Sequence, residues 1–313
     1  MRTIKKVASH IFIDGFGGMT QGLFATLIIG TMIQQIGLLI GGSTGNVIYL
    51  LGKAAAALTS AGIGVGVAVK YGESPLVTVS AAVAAMVGGY AGKITGGTFF
   101  VDGNAVLAGP GEPLGAFIAA FAGITCGHLV SGKTKVDIIV TPVITIGAGS
   151  VVGLLVGPPI SQMMTGLGSI INWATEQRPF IMGIVVSVVM GMVLTLPISS
   201  AALGIILNLS GLAAGAATIG CCCNMVGFAV ASYRENKFGG LVAQGLGTSM
   251  LQVPNIMRHP LIWLPVIFSS AILGPVSTIL ANMQNNATGS GMGSAGLFGQ
   301  ITTCLLYTSP SPR

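Results

Sequence analysis

Apolar residues run along this chain in long blocks, not in alternation. Between Arg178 and Arg234 lie 55 residues without a charged side chain, and residues 138–175 and 259–312 hold none either. A bilayer core takes roughly 20 apolar residues per crossing helix, so the first gap alone accommodates two crossings. Blocks such as FIMGIVVSVVMGMVLTL, residues 180–196, lack the period-two alternation of a membrane β-barrel strand. The pattern predicts an all-α, polytopic transmembrane helical bundle. Crossing segments are expected at residues 15–40, 47–69, 76–98, 114–130, 136–156, 180–196, 202–232 and 261–283, the seventh long enough to bend. Three further stretches are short or broken: 160–173 after Gly157-Pro158-Pro159, the glycine-rich 238–253, and 194–200 with Pro197 in its middle. Broken segments at membrane depth are tolerated only where protein or a water-filled cavity covers the backbone, and transporters build substrate sites from them. About eight to ten crossing or half-crossing segments are expected, with discontinuous or re-entrant helices among them.

Composition sharpens this. Charged residues make up 6% of the chain, against roughly 25% in soluble domains. Glycine contributes 49 of 313 residues. In lipid, small residues let helix backbones approach closely, and Gly88, Gly92 and Gly96, like Gly211 and Gly215, have the spacing of such a seam. The net charge of +6 comes from cations scattered over short loops, which excludes a nucleic-acid surface. Those cations read as topological anchors: Arg2, Lys5 and Lys6, with the loops SGKTKVD and SYRENK, place the N-terminus and both loops in the cytoplasm. Three adjacent cysteines, Cys221 to Cys223, cannot converge on one metal from a helix; no metal and no cofactor is expected. The segment 127–134, GHLVSGKT, fits the phosphate-loop pattern. That pattern needs a strand before it, and here it joins two membrane helices, so it reads as a basic loop. The last ten residues, CLLYTSPSPR, resemble a translated sequencing adapter. The expectation is therefore one transmembrane domain over residues 1–303, truncated at its C-terminus, followed by a foreign tail at 304–313.

Ionisable groups at membrane depth are functional candidates. Asp102 and Glu112 flank the Gly/Pro-rich GNAVLAGPG; Glu176 and Arg178 lie in ATEQRP; Asn255, Arg258 and His259 lie in PNIMRHP. A hydroxyl-rich solute is held by amides and carboxylates that pair with vicinal hydroxyls, and by an aromatic platform. Glu112, Glu176, Gln177, Gln244, Asn255 and His259 are the candidate substrate-binding residues, with Gln252, Trp173 and Trp263 in support. Each has an alternative reading as a cap, an interfacial anchor or half of an ion pair, and Trp263 suits the aromatic belt at the membrane surface. No residue is assigned a catalytic role.

Several stretches, among them FIDGFGGMTQGLFATLIIGT, GPGEPLGAFIAAFAG, ATEQRPFIMGIVVSVVMGMVLTLPISSAA, GLAAGAATIGCCCNMVGFAVASYREN and GLGTSMLQVPNI, resemble the PfoR-type branch of the membrane EIIC components of the bacterial phosphoenolpyruvate-dependent sugar phosphotransferase system. The resemblance extends over nearly residues 11–303. It implies a sugar permease of the bacterial inner membrane, working as a homodimer. Separate EIIB and EIIA proteins would phosphorylate the sugar, since the chain has no segment long enough to be either. Two other readings stand beside it: a membrane sensor or regulator that kept the fold, and an ion- or proton-coupled carrier of a small solute.

Overall fold

The computed structural model describes residues 14–308 except 102, 108, 176, 199 and 208. The protein is 82% helical with almost no strand. It divides into two compact units, Met1–Met163 and Met164–Arg313.

The first unit opens with α1 (Phe16–Ile40), which widens to a π turn at Phe24–Ile28. A one-residue turn at Gly41, φ +66°, reverses the chain into α2 (Gly42–Ala57). This helix and α3 (Thr59–Lys70) form one apolar segment bent by 53° at Leu58. Helix α4 (Pro75–Gly89) starts where the Ser74 hydroxyl accepts from Val77 N and Pro75 presets φ. A single turn, α5 (Ala91–Thr95), leads to the two-residue strands β1 (Phe100–Val101) and β2 (Asn104–Ala105), paired antiparallel. Helix α6 (Pro113–Val130) follows, and α7 (Asp137–Thr175) continues into the second unit.

The second unit adds α8 (Pro179–Thr195), α9 (Ser200–Ile206), α10 (Gly211–Ala231), α11 (Tyr233–Val242), α12 (Val253–Arg258), α13 (Pro260–Leu280), the short α14 (Ala287–Ser290) and α15 (Phe298–Thr308). Between α11 and α12 the chain passes through a π turn (Ala243–Gly247), an extended Thr248 and a 3-10 turn (Ser249–Gln252).

Among the described residues five helices are long and apolar enough to cross a bilayer, or six with the bent pair, and α4 and α8 are shorter apolar helices. The glycines explain how they pack. A Cβ on Gly18 would fall 2.6 Å from the Gly66 carbonyl oxygen, and one on Gly30 2.8 Å from that of Gly52, so α1 meets α3 and α2 backbone to backbone. Gly88 belongs to such a contact with Gly115 and Ala119, but Gly96 has only its own turn nearby. Likewise Gly215 packs on Met283, whereas Gly211 (φ +59°) opens α10 after a break. Neither expected seam therefore runs its full length.

Two segments depart from expectation. Gly157 to Pro159 does not break the chain, since α7 runs through it. Two prolines remove two donors, but ending the helix in lipid would orphan many more groups. Residues 202–232 form two helices, because Leu207, Leu209 and Ser210 leave the helical path before Gly211.

One end of the first unit is cross-tied. His128 Nδ1 lies 3.0 Å from Glu73 Oε1, and the Ser74 and Ser131 hydroxyls are 3.0 Å apart. Tyr71, in the turn after α3, is pushed up to about 12 by burial and by the nearby charge of Asp14.

Candidate functional site

The bend at Leu58 sits part-way along an apolar segment. Helix α3 has 12 residues and α4 has 15, so they rise about 18 and 22 Å from their shared turn, short of a core roughly 30 Å thick. Their far ends meet there, and the loop of residues 109–112 is wedged against them. Ser60 Oγ donates to Pro110 O at 2.9 Å. The Tyr90 hydroxyl donates its one proton to Gly109 O, with Ala57 O a second, weaker acceptor at 3.3 Å. Glu112 N donates to Gly89 O at 2.7 Å. Gly109 and Gly111 have φ of +83° and +77°, a backbone open to glycine. Glu112 thus stands half-buried, ahead of Pro113 at the first turn of α6, where a loop meets a broken helix.

The second unit carries an amide chain on its unwound segment. Asn255 Nδ2 donates to Gln252 Oε1 at 2.8 Å, Gln252 Nε2 to Gln244 Oε1 at 2.9 Å, and Gln244 Nε2 to Ser232 Oγ at 2.9 Å. All three bonds point the same way, which lets each polarise the next. Gln244 and Gln252 are buried and Asn255 is exposed, so the chain runs from core to surface. Beside it Asn224, 0% exposed, is a hub. Its Oδ1 accepts from Thr195 Oγ1 and Trp263 Nε1, each at 3.2 Å, and its Nδ2 donates to Ser270 Oγ and Gly220 O. Ser249, in the same 3-10 turn as Gln252, is 2.9 Å from Thr195 Oγ1. Every side chain in both networks is neutral.

Of the candidate residues, Gln244 and Asn255 come together through Gln252. His259 caps α12, its N–H donating to Asn255 O at 2.8 Å, with its side chain exposed. Gln177 Nε2 donates to Trp173 O, at the end of its own helix. Glu112 belongs to the first unit. Glu176 and Asp102 lie outside the described residues. Trp263 bonds to Asn224 and packs on Phe228, Ile256 and Val266, an inward role in place of the expected belt. Sequence reasoning passed over Asn224, Thr195, Ser249, Ser60 and Tyr90. Asn224 alone gave a signal, as an amide inside a charge-free apolar run. Among the described residues no group of three or more His, Cys, Asp or Glu could hold a metal ion. Cys221 is buried, its thiol pointing at Met190 O.

A family model described as "Phosphotransferase system, EIIC" matches residues 13–311. The chain belongs to the EIIC family. No curated protein matches it. As an EIIC component it is a multi-pass membrane subunit of phosphotransferase sugar transport, and membership implies a sugar substrate and cooperation with EIIA and EIIB. The helical architecture of this EIIC chain, with its bent pair and unwound segment, is of the kind from which transporters make solute sites.

Proposed function

We propose that this EIIC subunit, of the PfoR-type branch, binds an uncharged sugar and carries it inward across the bacterial inner membrane, where a separate EIIB phosphorylates it. The working form is a homodimer of a single transmembrane domain. The observation that carries the reading is Glu112: a carboxylate on a loop held against the break of an apolar helix pair, and in a membrane chain an ionisable group beside apolar segments is a candidate for function. A carboxylate there accepts from two hydroxyls of one sugar. Asn255, with Gln252 and Gln244 behind it, supplies a set of amide groups within the second unit, and Glu176, Gln177 and His259 are proposed as further substrate-binding residues.

Reconstitution tests it. Proteoliposomes containing the chain should accumulate sugar phosphate only when phosphorylated EIIB is enclosed with them. Glu112→Gln should weaken sugar binding about tenfold or more, since losing one charged acceptor is worth about 1.5–3 kcal/mol. Binding unchanged by that substitution removes Glu112 from the site. Uptake without any EIIB would favour a carrier coupled to an ion.

A further inference from the structure

We propose that Tyr90 is the positioning residue for Glu112, a step that rests on the assignment of Glu112 to the solute site. The loop of residues 109–112 contains two glycines in the left-handed region and cannot hold a shape by itself, because glycine loses the most freedom on ordering. Its shape comes from outside. The Tyr90 hydroxyl reaches two carbonyls at once, Gly109 O on the loop and Ala57 O at the end of α2. Ala57 is the last residue before the bend at Leu58. One phenol therefore joins the broken helix to the loop that bears the carboxylate. Tyr90 is 1% exposed, and its ring is fixed by Phe99, with centroids 5.3 Å apart, and by the Lys93 ammonium 5.4 Å above it. Ser60 makes the neighbouring tie to Pro110 O. A Cβ on Gly111 would fall 3.1 Å from Gly89 O, so the loop has no slack on that side. Removing the phenol oxygen leaves the ring packed and frees the loop, which moves Glu112 off its place at the helix break.

The test reads Glu112 without a sugar. Hydrophobic carbodiimides react with carboxyl groups held in apolar surroundings, and mass spectrometry locates the adduct. In the purified full chain, dicyclohexylcarbodiimide should label Glu112, and Tyr90→Phe should slow that labelling about threefold or more, the worth of roughly one net hydrogen bond. Tyr71→Phe, a phenol at the opposite end of α3, should leave the rate unchanged, which separates positioning from general loosening. Should Tyr90→Phe aggregate, Ser60→Ala removes only the adjoining tie and should slow labelling in the same direction. An unchanged rate in the soluble variant, or equal slowing in Tyr71→Phe, overturns the proposal. Absence of a Glu112 adduct in the wild type overturns it too, by denying the apolar placement. If Tyr90→Phe slows labelling while Glu112→Gln still binds sugar normally, the positioning stands and the site reading fails.

Discussion

At the scale of single residues, polarity in this protein is scarce and concentrated. Asn224 takes two donors and gives two, using every bond that a carboxamide offers. Helices in lipid have no hydrophobic drive toward one another, so interhelical hydrogen bonds of this kind help to hold them. Asn224→Ala would strand the Trp263 indole N–H, while Thr195 keeps Gly191 O and Ser249, and Ser270 keeps Val266 O. A buried polar group left unpaired costs about 1–3 kcal/mol, and the variant should lose about that much in reversible unfolding from detergent micelles. A loss below about 0.5 kcal/mol, the lower bound for one net hydrogen bond, would show that the indole finds another acceptor. In the sequence Asn224 is one neutral letter in CCCNMVG, and nothing there tells which helices it will bridge. Its partners are 29, 39 and 46 residues away. Tyr90 was opaque for the same reason, since its two acceptors lie 33 residues before and 19 after it. Glu112 was legible because a charge in an apolar chain stands out on composition alone.

At the scale of elements, the spans were read well and the breaks unevenly. Span length follows from bilayer thickness and needs no tertiary information. The predicted 114–130 and 180–196 compare with α6 at Pro113–Val130 and α8 at Pro179–Thr195, each opened by a proline. Breaks depend on what the freed backbone groups meet. Two prolines left α7 whole, while Leu58, an ordinary helix former, sits at a bend of 53°. That bend persists because Tyr90 and the 109–112 loop occupy it, which is a property of the fold. Glycine contacts set how close the helices lie. On α10, a Cβ at Gly220 would collide with the Ser187 carbonyl on α8. Because backbone cannot step aside as a side chain can, Gly220→Ala should destabilise the second unit by about 1–3 kcal/mol. Thermal unfolding of the purified variant checks this, and a melting temperature equal to the wild type would mean that α8 and α10 separate freely.

At the scale of the whole molecule, orientation follows from the loops. The turn after α3 and the loop after α6 are joined by Ser74 with Ser131 and by His128 with Glu73, so both lie at one end. Lys70, Lys133 and Lys135 gather there, so that end is expected to be the cytoplasmic one. Helix α6, about 27 Å long, then places the β1–β2 hairpin at the other end. In intact cells a membrane-impermeant maleimide should label Asn104→Cys and not Lys135→Cys, in a background lacking the exposed Cys304. The reverse result would invert the topology.

The charge-free run from Pro179 to Tyr233 has an electrical meaning. Moving one elementary charge through a potential of 100 mV takes about 2.3 kcal/mol. Helices α8, α9 and α10 hold no charged side chain, and the Asn224 network that ties α8 and α10 to α13 is neutral throughout. Any displacement of these helices during a transport cycle therefore moves no fixed charge through the field. The voltage of an energised cell neither pulls that motion nor resists it. An uncharged solute travelling with them adds nothing to the electrical work, so direction is left to the concentration gradient and to whatever removes the solute on the inner side.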